Sequence, residues 1–172
     1  MKKIDTTQWG EFLLGNLFIV EKGKRLTKAN MKPGNINYIG ATAFDNGITA
    51  HIANNEHLHP AGTITVCYNG SVGQTFYQTT PYWATDDVNV LYPRFEMKPQ
   101  VAFFIIPILR TMGQKYAFVD KWTKDKMENT KILLPRDAEG NPDWAYMEEY
   151  MKALEKRVTS SVTALNTLLG GG

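Results

Sequence analysis

The sequence predicts a mixed α/β (α+β) globular unit followed by one long C-terminal helix of coiled-coil type. Three observations carry this. Between Gly140 and Gly170, Trp144, Met151, Val158 and Leu165 recur at heptad spacing. Met147, Leu154 and Leu168 repeat on the interleaved position, with Ser161 as the polar break, which makes a seam of about three and a half heptads. Upstream, short alternating apolar segments are separated by glycine and Asn-Gly turn signals, the pattern of strands in a small domain. Among them lies one segment with helical rather than strand periodicity, opening at Pro99. The expected boundaries are 1–136 for the globular unit and 137–172 for the connecting turn and helix.

In chain order, Trp9 to Val20 reads as an apolar entry segment with Gly15 as a turn. Lys22 to Pro33 is a basic, polar loop. Asn37 to Phe44 is strand-like, and Asp45-Asn46-Gly47 turns the chain. Thr63 to Tyr68 alternates, with Ile64, Val66 and Tyr68 on one face, and Asn69-Gly70 follows as a turn. Val88 to Tyr92 is a further strand. The helix from Pro99 puts Val101, Ile105, Ile108, Leu109 and Met112 on one side, with a kink expected at Pro107. Ile132-Leu133-Leu134 is a last strand, and Pro135 to Pro142 a polar turn. For the terminal helix, Asn141 is the expected N-cap, Pro142 the first helical residue and Asp143 a complement to the dipole. Gly170 is the expected stop. At about 1.5 Å per residue such a helix runs roughly 40 Å, and its one-sidedness asks for a partner helix.

Composition narrows the class. The 172 residues are 43% hydrophobic and 12% aromatic, enough for one domain with its own core. The start, MKKIDTTQWGEF, has lysines but no apolar stretch of a secretory leader. The longest apolar run, Val101 to Leu109, is broken by Pro107 and falls short of a membrane span. The single cysteine, Cys67, fits a reducing cytoplasm. A net charge of +2 is too small to identify a polyanion partner, so its distribution carries the information.

Two segments concentrate positive charge. Lys22, Lys24, Arg25, Lys28 and Lys32 follow a single acid, Glu21. Arg110, Lys115, Lys121, Lys124, Lys126 and Lys131 stand against Asp120, Asp125 and Glu128. Such residues on loops neutralise phosphates and release counterions. Asn46, Asn54, Asn55, Asn69, Gln74, Gln78 and Asn89 supply amides of the kind that read adenine edges. Lysines on an ordinary solvated surface explain the charge alone equally well.

Enzyme chemistry finds little support. His51, His57 and His59 with Glu56 lack the spacing of a zinc finger or a zinc-protease helix, and read as ordinary loop histidines. Cys67 sits within Thr-Val-Cys-Tyr, where a buried small hydrophobe is the better reading than a nucleophile. Asp86-Asp87 reads as a turn cap or as a partner of a basic loop. Gly70-Ser71-Val72-Gly73 is neither a phosphate-binding nor a dinucleotide loop. There is no methyltransferase signature: no glycine-rich cofactor loop, no Asn/Asp-Pro-Pro-aromatic tetrad. No catalytic residue, cofactor or metal is expected.

The ordered motifs nevertheless resemble a known family. They run Trp9-x-x-Phe12-x-Leu14-Gly15-x-Leu17-Phe18, then Lys22-Gly23-Lys24-Arg25-Leu26-Thr27-Lys28, then Tyr38-Ile39-Gly40-Ala41-Thr42 with Asn46-Gly47-Ile48. Gly62-Thr63-Ile64-Thr65-Val66 and Asn69-Gly70-Ser71-Val72-Gly73 come next, followed by Trp83 to Leu91 and Lys131-Ile132-Leu133-Leu134-Pro135 before the long helix. The series, from Trp9 to Leu169, resembles the target recognition domain of the DNA specificity (S) subunit of type I restriction-modification systems, and of related type II enzymes with an S-like module.

The resemblance implies an α/β domain whose loops enter the major groove of double-stranded DNA and read half of a bipartite site. It implies a spacer helix that pairs with another, a DNA methyltransferase (modification) subunit as partner and, in systems that carry one, a restriction subunit. It implies no active site in this chain. A full S subunit has two recognition domains and two spacer helices, whereas this chain has one of each. A homodimer of half subunits, paired antiparallel through the terminal helices, is therefore expected to read an interrupted palindrome. Phosphate contacts are expected from Lys22, Lys24, Arg25, Lys28, Lys121, Lys124 and Lys126. Base reading is expected around Thr42–Asn46, Ser71–Gln78 and Thr85–Asn89, with Asn46, Ser71, Gln74 and Gln78 as named candidates. The dimer seam is expected from Met151, Leu154, Val158, Leu165 and Leu168, while the Trp144 to Met151 end is the part suited to folding back on its own domain. The competing readings are an adaptor that captures modification subunits without reading DNA and, further off, a hydrolase built on Cys67 and a histidine.

Overall fold

The structure, a computed structural model, describes residues 4–116 and 120–169. Gly170, the expected helix stop, and the glycine tail lie outside the described residues. Strand β1 (Gly10–Leu13), a single helical turn α1 (Leu14–Leu17) and strand β2 (Phe18–Lys22) open the chain. Strands β3 (Pro33–Ile39), β4 (Ile48–Ile52), β5 (Thr63–Cys67), β6 (Thr75–Gln78), β7 (Tyr82–Ala84) and β8 (Val88–Pro93) follow. Helix α2 (Pro99–Gly113), the short α3 (Lys124–Glu128), strand β9 (Lys131–Leu134) and the long α4 (Trp144–Leu169) complete it.

The strands form three sheets: a four-stranded sheet β2-β8-β5-β6, a three-stranded sheet β4-β3-β7 and the pair β1-β9. The four-stranded sheet is antiparallel throughout, and β3 runs parallel to β7. One face of the four-stranded sheet, with Phe18, Val20, Ile64, Val66 and Leu91, packs on Val101, Ile105 and Leu109 of α2. The other face, with Cys67, Val88 and Val90, packs on Ile39, Tyr82 and Ala84 of the three-stranded sheet. The far side of that second sheet carries Tyr38, Ile52 and Trp83 under Leu26 and Met31 of the basic loop. Period-2 alternation distributes these residues between layers.

Every residue of β5 is buried. Ile64 and Val66 share one face as expected, Tyr68 lies beyond the strand end, and the opposite face, with Thr63, Thr65 and Cys67, is buried as well. Helix α2 runs through Pro107, which is exposed, and buries Ala102, Phe104 and Ile106 beside the anticipated face.

Helix α4 spans 26 residues, but it starts later than expected. Asp143 Oδ1 accepts the Tyr146 N–H at 2.9 Å, so Asp143 is the N-cap. Asn141 is instead held in the preceding turn, its N–H donating to Asp137 Oδ1 at 2.8 Å. The first turns of α4 belong to the domain. Met147 is fully buried in the main core, and Trp144, Tyr150 and Met151 pack against it. Phe95 stacks on Trp144 at 3.8 Å between centroids, and Phe104 meets Tyr150 edge-on at 5.7 Å. Met151, expected in the dimer seam, is half-buried against its own domain. Leu154 is half-buried. Beyond it Val158, Leu165 and Leu168 are 56%, 57% and 80% exposed, and Val162 widens the same apolar stripe. This stripe is uncovered by the rest of the domain.

Candidate nucleic-acid interface

Three loops meet at one end of the two sheets. The first, residues 40–47, is closed by a Gly40 N–H to Gly47 C=O bond of 2.9 Å. Its tight path needs a left-handed run: φ is 49° at Asp45, 53° at Asn46 and 83° at Gly47. Asn and Asp tolerate this region better than other side-chain-bearing residues. The second loop, 68–74, touches the first: a Cβ on Gly70 would lie 3.3 Å from that of Ala41. It is seated on the end of α2, where Gly73 and Gly113 approach so closely that a Cβ on Gly73 would stand 2.8 Å from Gly113 Cα. The third loop, 85–87, is bound to the second. Tyr68 Oη donates to Asp86 O at 2.5 Å, and Asn69 Nδ2 donates to Asp87 Oδ1 at 2.6 Å.

The first basic segment joins this cluster. The Lys24 N–H donates to Ala84 O at 2.8 Å and the Gly23 N–H to Val88 O at 2.9 Å. Arg25 stands 3.9 Å from Asp86, an exposed pair of small energetic weight. Lys22 Nζ lies 5.4 Å from the Tyr68 ring centroid. Its pKa is raised by its side-chain contact with Tyr68, and by Asp86 and Asp87 nearby. Lys28 is exposed in a 3-10 turn, Lys28–Asn30.

Two grooves mark where a chain could lie. Lys22, Tyr68 and Asn89 share an opening of about 240 Å³ with Thr123, Lys124 and Asp125. This groove joins the two basic segments, which the sequence only suggested separately. A wider groove of about 540 Å³ is lined by Lys24, Arg25, Lys32, Asn54 and Trp83 among others. Trp83 Nε1 donates to Lys24 O at 2.6 Å and holds its edge.

The expected contact residues divide. Ser71 and Gln74 are half-exposed on the second loop. Asn46 is exposed, but its Nδ2 donates inward to Tyr77 O at 3.2 Å. Gln78 is a correction: it lies in β6 at 2% exposure. Its Nε2 donates to Asn46 O and to Thr65 Oγ1, each at 3.1 Å. Its amide is buried and engaged within the domain rather than presented at the surface. Asn89 is likewise in a strand, at 1% exposure. Lys124 pairs with Glu128 at 3.7 Å, and Lys126 pairs with Asp120 beside the Tyr116 ring. Lys121 is half-buried. Arg110, counted with the second basic segment, is turned inward, donating to Thr75 O at 2.8 Å.

The geometry weighs against the hydrolase reading. Burial pushes the Cys67 thiol up to about 11, so it stays protonated at neutral pH and is a poor nucleophile. His59 has its pKa lowered by burial, and its Nδ1 lies 2.5 Å from Tyr92 Oη. His51 and His57 are exposed. Among the described residues no three His, Cys, Asp or Glu side chains gather as metal ligands, and no helix is long and apolar enough to cross a membrane.

Comparison with known proteins bears on this arrangement. Residues 6–164 match the family described as type I restriction modification DNA specificity domain. The chain is 36% identical over 166 residues to the specificity subunit S.BcgI of a type II restriction enzyme from Heyndrickxia coagulans. That match covers 95% of this chain and 48% of the relative, so the chain spans about half the relative's length. Its fold matches the crystal structure of a type I restriction-modification S subunit from M. genitalium with a TM-score of 0.62 at 18% identity, over 94% of this chain and 44% of that one. It also matches the HsdS subunit from Thermoanaerobacter tengcongensis with a TM-score of 0.63 at 16% identity, over 95% of this chain and 41% of that one.

Proposed function

The chain belongs to the type I restriction-modification DNA specificity domain family, and from that premise we propose that it is a non-catalytic specificity module that reads half of a bipartite DNA site. It directs a partner DNA methyltransferase subunit, in the cytoplasm, to that site. Where the system carries a restriction subunit, the same recognition directs cleavage. The observation that best supports this reading is the convergence of the loops 40–47, 68–74 and 85–87 with Lys22 and Arg25 on one end of the sheets. Cations that hold phosphates are thereby adjacent to polar loops that can meet base edges.

Two copies, paired through the exposed half of α4, make the full reader. Val158, Val162, Leu165 and Leu168 supply the apolar stripe. Ser160, Ser161, Thr163 and Thr167 turn their hydroxyls back to carbonyls one turn earlier. Ser161 therefore interrupts the seam without bringing an unpaired hydroxyl into it. A two-fold pair reads an interrupted palindrome.

The test is a genome-wide methylation map in cells carrying the partner methyltransferase, with and without this chain. Methylation of an interrupted palindrome only with the chain is the expected result. An asymmetric bipartite motif means that the chain pairs with a different recognition domain. No new methylation, with the partner expressed and bound, supports an adaptor that does not read DNA.

A further inference from the structure

Phe44 stands at the tip of the loop 40–47 with 76% of its surface exposed. An aromatic ring left in water on a wandering loop carries no message, but this loop is fixed. It is closed at its base by the Gly40–Gly47 bond. Its far limb holds the left-handed run at Asp45, Asn46 and Gly47. Asn46 is tied to β6 through Tyr77 and Gln78. The Phe44 N–H itself donates to Thr42 Oγ1 at 3.3 Å. The ring is thus presented on a backbone whose ordering is completed on folding, so that binding does not have to supply it.

The surroundings narrow the ligand. The neighbouring loop 68–74 offers Ser71 and Gln74 and meets Lys22 at the Tyr68 ring, and the loop 85–87 behind it faces Arg25 through Asp86. Phe44 is the one large hydrophobic side chain exposed on the loops 40–47, 68–74 and 85–87, and a single exposed ring is not the contiguous apolar patch of a protein–protein hot spot. On a surface that reads DNA, polar side chains match donors and acceptors on base edges. Thymine alone adds an apolar group in the major groove, its 5-methyl, and phenylalanine is among the side chains that meet it.

We propose that Phe44 is a specificity-determining residue that packs against the 5-methyl group of one thymine in each half-site. This rests on the DNA-reading role proposed above. The test uses the chain assembled with its methyltransferase subunit. Random-sequence DNA selection is run in parallel on the wild type, Phe44→Ala and Phe44→Leu, and the selected thymines are then replaced singly by deoxyuridine, which lacks the methyl. In the wild type, deoxyuridine at one position per half-site should weaken binding roughly three- to tenfold. Phe44→Ala should no longer select thymine at that position and should bind thymine and deoxyuridine alike there, while Phe44→Leu keeps part of the preference. Retention of the whole consensus by Phe44→Ala overturns the proposal, as does an equal deoxyuridine penalty in both proteins. If the wild type selects no sequence at all, it is the DNA-reading role that fails, a result distinct from a consensus in which Phe44 has no part. The exposed position lets thermal melting verify that each variant is folded.

Discussion

Gln78 and Asn46 brace each other across the first loop and β6. Gln78 Nε2 donates to Asn46 O at 3.1 Å, and Asn46 Nδ2 donates to Tyr77 O at 3.2 Å and reaches Gln78 Oε1 at 3.4 Å. The same Gln78 amide donates to the buried Thr65 Oγ1. Gln78→Ala removes bonds from buried partners, a change that costs about 1–3 kcal/mol. The expected outcome is a lower urea midpoint and faster proteolytic nicking within residues 40–47. A changed DNA consensus with undiminished stability would instead make Gln78 a direct reader.

Salt dependence separates free cations from paired ones. Each phosphate contact contributes about 0.9 to the slope of log affinity against log salt. Lys24 has no ionic partner within salt-bridge range among the described residues, whereas Lys126 is held by Asp120. Lys24→Ala should reduce the slope by about one contact, and Lys126→Ala by clearly less. Equal slopes for wild type and Lys24→Ala in a binding titration would remove the first basic segment from the phosphate face.

The layering explains what could and could not be read beforehand. The heptad in α4 and the apolar face of α2 are periodic over many residues, so they announced themselves. Strand β6 is four residues long, too short for its pattern to stand out among polar neighbours. Gln78 reads as a loop amide in the sequence because the partners that hold it, Thr65 and Asn46, are distant along the chain. Strand β4 hid behind Ala50 and His51. Helix α3 is one turn that buries Met127 alone, and no window of five residues shows a helical period. Asn141 and Asp143 are both cap-competent in sequence, and the local turn in which Asp137 Oδ1 accepts the Asn141 N–H leaves the cap to Asp143. The convergence of the two basic segments is tertiary: α3, with Lys124, packs against β2, which ends at Lys22.

The buried thiol gives a pH prediction. Burial, the largest cause, raises the pKa of Cys67 from 9.0 to about 11. The folded chain therefore holds this proton more tightly than the unfolded chain does. The associated stability is fully present below about pH 9 and is lost as pH rises toward 11, a change of roughly 3 kcal/mol at most. Tyr92, raised by burial from 10.0 to about 12, pulls the same way at still higher pH. Urea unfolding at pH 8 and pH 10.5 should show the fall, and Cys67→Ala should reduce it. The thiol should also resist an aromatic disulfide reagent at pH 8 until the chain is unfolded.

Asp143 tests the start of the terminal helix. Removing an N-cap costs about 0.5–2 kcal/mol. Because the first turns of α4 carry Met147 into the core, the loss should appear in the melt of the whole domain and not only in helical signal. Asp143→Ala should lower the melting temperature by several degrees, while Asn141→Ala, whose side chain makes no cap, should change it little.

The exposed half of α4 carries the proposed pairing of two copies. Burying an aliphatic side chain contributes about 1.5–3 kcal/mol, and Val158, Val162, Leu165 and Leu168 are the exposed set on each helix. Association itself costs about 4–15 kcal/mol, which consumes much of that gain. A pair held by these helices alone should therefore dissociate in the micromolar range and tighten when a methyltransferase subunit spans both copies. Light scattering from one to one hundred micromolar should show the mass rising with concentration. Val158→Glu with Leu165→Glu places a charge at two seam positions of each helix and should hold the chain monomeric across that range. These positions lie outside the domain core, so the melting temperature should stay within about two degrees of wild type. A double variant that remains dimeric would move the interface off the helix, and with it the two-fold geometry that predicts a palindromic site.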